Sequence, residues 1–297
     1  MRLGILKKTI VSVLAVWLAG ALVAAPAAKQ VKETPLTLTT KDGWKLSAVY
    51  LPAKPEMKTV VLLHDLNKNK ETFTTFKAAL AKNGTGYLAL DLRGHGQSTN
   101  LNVVRSFAKE GVDNQFNKMT RDVDAAVSFL QEKKIPLDQI ALVGTGLGAN
   151  VAAKATTFWP EIGQIALFSP TANVRNVLAI PPMRLYKGNI LIGAAAADKK
   201  MFLEASVIRN VAYLTNGEDT SKITFLTAYD LTSHEMLDKY FIPATVQWLA
   251  TPKRPDVLPD EPSWEEQNTG AAPEDNSGVA VTPSNTEEAL VPSLLGE

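Results

Sequence analysis

Four polar segments come after predicted strands, each a run of largely apolar residues, and their side chains suit hydrolytic chemistry. The segments are His64-Asp65-Leu66, Gly144-Thr145-Gly146-Leu147-Gly148, Asp198, and Ser233-His234. Open α/β sheets carry their sites at the carboxyl ends of strands, so we expect these segments to meet at one edge. An acid after one late strand and a histidine after the next give the order nucleophile, acid, base of hydrolysis through a covalent intermediate.

The same segments do not predict a metal or a cofactor. The chain has three histidines, no cysteine and no H-x-x-x-H spacing, so a zinc-type ligand set is missing. The segment from Gly144 to Gly148 lacks the Lys-Ser/Thr of a phosphate loop and is not the dinucleotide motif G-x-G-x-x-G. Lys+Arg is 31 and Asp+Glu is 30, and no basic stripe indicates nucleic-acid binding.

The elements that must position these residues follow from apolar patterning. Alternating segments around Lys41-Asp42-Gly43-Trp44 predict a β-hairpin. Continuous apolar runs predict strands that are buried on both faces. The predicted strands are 36–40, 45–51, 59–63, 86–92, 139–143, 164–168, 189–194 and 223–228, and the predicted helices are 72–82, 117–132, 147–158 and 236–250, the last kinked at Pro243. Repeated β-α-β units predict an α/β fold with a mostly parallel sheet of about eight strands and helices on both faces.

We expect the α/β domain to span residues 35–251, and the two ends of the chain differ from it in composition. Cations at positions 2, 7 and 8, the uncharged apolar run 9–24 and the Ala25-Pro26-Ala27 site predict a signal peptide over 1–27. The alternative is a retained membrane anchor, for which the run is short. We therefore expect export to the bacterial periplasm or beyond, with no stable membrane span after cleavage.

Residues 28–34 are interpreted as a linker, and residues 252–297 as a disordered, acidic, proline-rich tail. The alternative for the tail is a docking segment that uses Trp264 or the apolar residues near the end of the chain. A third hypothesis is that the chain is an interaction protein, in which the tail binds the partner and the α/β domain serves as a scaffold.

Three motifs carry a resemblance to a known family. They are Leu62-Leu63-His64-Asp65, the Asp-Leu-Arg-Gly-His-Gly-Gln-Ser run 91–98, and the Val-Gly-Thr-Gly-Leu-Gly-Ala-Asn run 143–150. Over about residues 36–250 the chain resembles α/β-hydrolases of the compact bacterial kind, related to dienelactone hydrolases and S33 serine aminopeptidases. The stretch 171–188 is too short for a separate lid domain, so the pocket is expected to be open or partly covered.

The resemblance assigns roles to individual residues. In the family the turn reads G-x-S-x-G, which places the nucleophile position at Gly146. The acid then maps to Asp198 and the base to His234. The oxyanion donors map to the backbone N–H of Leu147 and to one N–H of the His64-Asp65-Leu66 loop.

Glycine at position 146 departs from that pattern, because it offers no side chain for an acyl-enzyme. Thr145 or Ser233 could substitute as nucleophile, or the His234–Asp198 pair could act as a base without a covalent step. Asp198 could instead cap a helix, and His234 could be a surface residue. His64 and His95 are interpreted as structural.

The leading hypothesis is thus a catalytically impaired hydrolase homologue that binds a small ligand or a partner. The alternative is an active esterase- or peptidase-like hydrolase that uses an atypical nucleophile or a His–Asp base.

Overall fold

The computed structural model describes residues 32–99, 103–229 and 236–255. The strands are β1 (Thr34–Thr39), β2 (Lys45–Leu51), β3 (Thr59–Leu63), β4 (Gly86–Leu90), β5 (Ile140–Thr145), β6 (Gln164–Phe168), β7 (Asn173–Val174), β8 (Val177–Leu178), β9 (Asn189–Ala195) and β10 (Ile223–Ala228). The α-helices are α1 (Thr74–Asn83), α2 (Thr120–Glu132), α3 (Leu147–Ala155), α4 (Ile180–Met183), α5 (Lys199–Thr215) and α6 (Ile242–Ala250).

The predicted signal peptide, His234 with its neighbour Ser233, and the tail from residue 256 lie outside the described ranges. Within those ranges, no helix has both the length and the apolar character needed to cross a bilayer.

Eight strands form one mixed sheet in the order β1-β2-β4-β3-β5-β6-β9-β10. The pairs β1–β2 and β2–β4 are antiparallel, and all remaining neighbours are parallel. The predicted hairpin and the mostly parallel sheet of eight strands are therefore confirmed. Leu63 is in register with Leu90 of β4 and with Gly144 of β5, so the loops after these three strands share one edge.

Helices cover both faces of the sheet. Val60 and Leu62 of β3 point to the face on which α1 and α6 pack, and Val61 and Leu63 point to the face that α2, α3 and α5 cover. All five residues of β3 are buried. A strand that is covered on both sides needs apolar residues at consecutive positions, which explains its unbroken apolar run.

Three helix predictions need correction. The helix α5 was missed, because its exposed face carries Leu203, Val207 and Leu214 and thus blurs the amphipathic pattern. The helix predicted to end at 158 ends at Ala155. The helix predicted over 236–250 is not α-helical throughout, because a π-helical turn over Leu237–Phe241 precedes α6. Pro243 lies in the first turn of α6, where no N–H partner is required.

The loop after β4 is fixed by a buried arginine. The Arg93 side chain is fully buried, and its Nε donates to Asp122 Oδ1 of α2 at 2.8 Å. Nη1 of the same guanidinium donates to Asp42 Oδ2 of the β1–β2 turn at 2.8 Å. One side chain therefore joins the hairpin, the β4 loop and α2.

Substitution of Arg93 by methionine is expected to destabilise the fold by about 3–5 kcal/mol, because it leaves the fully buried Asp122 without its counter-charge. Chemical denaturation of the variant measures this loss. The matched control is Arg121→Met, which also removes a bond to Asp42 but from a half-exposed side chain, and should cost no more than about 1 kcal/mol. Equal losses in the two variants would contradict the role given to Arg93.

Candidate functional site

A sharp turn joins β5 to α3 at Gly146. Its backbone has φ 52° and ψ −117°, a left-handed conformation that favours glycine. The turn is packed tightly, since a Cβ on Gly148 would lie 2.1 Å from the Leu63 carbonyl oxygen and one on Gly144 would lie 2.3 Å from the Gly148 carbonyl oxygen. This is the strained strand-to-helix geometry that exposes a nucleophile in hydrolases of this fold.

The carboxylate of Asp65 fills the space beside Gly146. A Cβ built on Gly146 would lie 2.1 Å from Asp65 Oδ1 and 2.2 Å from its Cγ. Asp65 Oδ1 accepts the backbone N–H of Leu66 at 2.6 Å and that of Leu147 at 2.7 Å. Leu147 begins α3, so the carboxylate also lies at the positive end of the helix dipole.

These two N–H groups come from the two segments in which the sequence predicted oxyanion donors. The structure therefore brings the predicted loop and Leu147 together, although their catalytic role remains a prediction. Sequence reasoning named Asp65 only as part of the loop and missed its side chain. The available signal was an acid two residues beyond the end of a buried strand.

His64 holds the loop from behind. Its Nε2 accepts the Leu92 N–H at 3.0 Å, so Nδ1 carries the proton and donates to the Asp65 carbonyl at 2.7 Å. Burial lowers the pKa of His64 to about 4 despite the opposing effect of that carbonyl. The ring of His95, whose pKa burial also lowers, packs edge-on at 4.9 Å. The structural interpretation of both histidines fits these contacts.

A cavity of about 290 Å³ opens beside the turn. Its walls include Asp65, Lys68, Phe73, Thr145, Leu237 and Asp238. Thr145 Oγ1 is buried and has no hydrogen-bond partner among the described residues. Those residues also contain no cluster of three or more His, Asp or Glu that could hold a metal ion.

Asp198 lies three residues beyond the end of β9 and caps α5. Its Oδ1 accepts the Met201 N–H at 3.1 Å, which is the capping alternative raised for this residue. Any contact with His234 or Ser233 lies outside the described residues. The assignment of Asp198 and His234 as acid and base therefore stays a prediction.

The buried His64 makes folding stability depend on pH. Its pKa in the folded protein, about 4, is below the ordinary 6.5, so between these values only the unfolded chain binds a proton there. The free energy of unfolding should fall, by up to about 3 kcal/mol, as the pH drops through this window. Denaturation midpoints at pH 7 and pH 4.5 measure the loss. His64→Gln should reduce the pH dependence, and an unchanged dependence would contradict the prediction.

Gly146 and Asp65 should be energetically coupled. Gly146→Ala adds a Cβ that collides with the carboxylate, so we expect its cost to fall by about 1–3 kcal/mol in an Asp65→Gly background. A double-mutant cycle by denaturation measures the coupling. Gly217→Ala is the matched control, because φ is +67° there and nothing lies within 4 Å of the added Cβ. This control should cost about 1 kcal/mol in either background, and additive effects at positions 146 and 65 would contradict the packing described.

The fold of this chain is similar to the folds of several solved hydrolase structures. An esterase from Pyrococcus furiosus superimposes with a TM-score of 0.59 at 17% identity, over 75% of this chain and 94% of that one. A dienelactone hydrolase from Anabaena variabilis gives a TM-score of 0.57 at 12% identity, over 74% and 95% of the two chains. An α/β hydrolase from Agrobacterium tumefaciens, described as putative, gives 0.57 at 17% identity, over 77% and 100%.

No curated protein matches the chain at a significant level. Residues 54–224, more than half of the chain, match the family described as serine aminopeptidase, S33. The chain therefore belongs to this family of α/β hydrolases.

Proposed function

We propose that this chain is an exported α/β-hydrolase homologue that is impaired in serine-type ester and peptide hydrolysis and binds a small molecule in its cavity. The observation that carries the proposal is the position of the Asp65 carboxylate. Its Oδ1 lies 2.6 Å from the Leu66 nitrogen and 2.7 Å from the Leu147 nitrogen, and the group occupies the space next to Gly146.

Acyl transfer needs two structural features that this arrangement lacks. The first is a hydroxyl or thiol at position 146, which glycine does not supply. Loss of a nucleophile cost on the order of 10⁶ in kcat in one protease. The second is a pair of N–H groups open to the substrate carbonyl oxygen. Here both donors already bind a carboxylate, and hydrogen bonds to an ionised acceptor are stronger than bonds to a neutral carbonyl.

The cavity supports the binding half of the proposal. Phe73 and Leu237 supply apolar wall, and Lys68, Thr145 and Asp238 supply polar groups. Small-molecule sites commonly combine apolar walls with a few polar groups that fix orientation. Export is proposed on the N-terminal segment alone, from its cations followed by the apolar run 9–24.

The test is ester hydrolysis by matched variants. The wild type and Gly146→Ser should release p-nitrophenol from p-nitrophenyl acetate at the rate seen without enzyme. The wild type has no hydroxyl at position 146, and in the variant the serine and the Asp65 carboxylate compete for the same space, since a Cβ at position 146 would lie 2.1 Å from Asp65 Oδ1. The double variant Asp65→Gly/Gly146→Ser frees the space and both N–H groups, so it should gain activity and react with a fluorophosphonate probe at position 146. Adding His234→Ala to this double variant should remove the gain.

Ordinary enzyme rates in the wild type, with kcat of about 1–10³ s⁻¹, would refute the proposal if His234→Ala abolished them. The same assay examines the alternative nucleophiles. Fluorophosphonate labelling of wild-type Thr145 or Ser233 would favour an active hydrolase with an atypical nucleophile.

A further inference from the structure

A second cavity, of about 360 Å³, lies between the start of α2 and the end of α3. None of its described wall residues belongs to the cavity beside the turn after β5. Four cationic and two acidic side chains line it, namely Lys41, Lys118, Arg121 and Lys154, with Asp113 and Asp124. The walls therefore carry an excess of two positive charges, which attracts an anion.

The charge of Lys154 is the one that the protein leaves uncompensated. Three of the cations form ion pairs: Lys41 with Asp124 at 3.0 Å, Lys118 with Asp113 at 3.3 Å, and Arg121 with Asp42 at 3.0 Å. Lys154 pairs with no carboxylate in the described part of the chain, although it is half-buried and burial lowers the pKa of its ammonium group. Burial of a cation without a counter-charge is unfavourable, so an anionic ligand would stabilise this position.

Two buried amides fix the position of this ammonium group. Lys154 Nζ donates to Oδ1 of Asn117, which is 6% exposed. Asn117 Nδ2 donates to Asn114 Oδ1 at 3.2 Å and to the Gly111 carbonyl at 3.4 Å, and Asn114 Nδ2 donates to the Arg175 carbonyl at 2.8 Å. An ammonium group has three donors, and the contact with Asn117 uses one of them. The amides thus hold Lys154 in place with donors left for a ligand.

The rim of the same cavity is apolar. Phe158, which follows α3, is 62% exposed, and Val112, in the loop before α2, is 87% exposed. A ligand that carries an apolar group beside its anionic group would remove this surface from water. Binding sites for small molecules commonly combine apolar walls with a few polar groups that fix orientation.

We propose that this second cavity binds a small phosphate monoester that carries an aromatic or short alkyl group. A phosphate monoester has about 1.5 to 2 negative charges at neutral pH, which fits the excess charge of the walls better than one carboxylate does. Its oxygens accept from Lys154 Nζ and from the Arg121 guanidinium, which has donors beyond the one bound to Asp42. Its apolar group packs on Phe158. This site goes beyond the proposed function, because it is separate from the cavity beside the turn.

The test is a titration of the ¹⁵N-labelled full chain with phenyl phosphate, followed by amide chemical shifts. We expect saturable shifts around Asn117 and Lys154, with a Kd on the order of 1 mM or tighter. Benzoate and inorganic phosphate should bind more weakly, because the first has less charge and the second has no apolar group. Benzyl alcohol should not bind. The proposal is overturned if the shifts do not saturate, if they occur only around the cavity beside the turn, or if benzyl alcohol binds equally well.

Variants of Lys154 give a second readout. Lys154→Met should weaken phenyl phosphate binding about 10-fold or more, because it removes a charge-assisted hydrogen bond. The matched control is Lys82→Met, since Lys82 also lies in the last turn of an α-helix but outside the walls of this cavity. This control should keep the Kd within about twofold. Equal affinity in the wild type and Lys154→Met would also overturn the proposal.

The apolar part of the site is tested at Phe158. Phe158→Ser should weaken phenyl phosphate binding about threefold and leave inorganic phosphate binding unchanged, because only the ring contacts this side chain. The exposure of Phe158 makes this variant safe for the fold, so it decides the matter if Lys154→Met does not fold. Equal affinity of Phe158→Ser and the wild type for phenyl phosphate would contradict the proposed site. Failure here leaves the ester-hydrolysis test unaffected, because that test concerns another cavity and another readout.

Discussion

The close approach between the end of β3 and the start of α3 is the constraint on which the site depends. No side chain fits between these elements, since a Cβ on Gly148 would lie 2.1 Å from the Leu63 carbonyl oxygen. The approach directs the N–H groups of Leu66 and Leu147 to one point at the positive end of a helix. A negative group satisfies both donors. Asp65 supplies it from the same loop, so little additional chain has to be ordered.

Buried polar contacts between the loops after β3 and β4 hold the end of β3 in place against α3. Lys70 donates to the Asp91 carboxylate through both its backbone N–H and its Nζ, each at 2.8 Å, and so ties the loop after β3 to the loop after β4. His64 joins the same two loops between the Leu92 N–H and the Asp65 carbonyl. Charged groups at such depth are costly unless they are paired, and this pairing makes the loops specific in geometry. The site residues are therefore held before any ligand arrives.

The sheet could be read from the sequence because burial on both faces leaves unbroken apolar runs, as in β3 and β6. The turn at Gly146 could be placed because small residues are needed on either side of it. The helix α5 could not, because part of its exposed face is apolar. The position of the Asp65 side chain could not be predicted either, since its direction depends on a hydrogen bond from the backbone N–H of Leu147, 82 positions away in the sequence.

That long-range bond changes what the glycine at position 146 means. If only the nucleophile had been lost, the space beside the turn would be empty and both N–H donors would be open. Restoring a hydroxyl at position 146 would then be enough to restore the nucleophile. Here the vacancy is filled by a carboxylate that needs the glycine, because any Cβ at position 146 would lie within 2.5 Å of three of its atoms. Gly146 and Asp65 are thus one structural unit. A change at either position alone leaves a collision or an unfilled site, so the chemistry of this turn is set by both residues together.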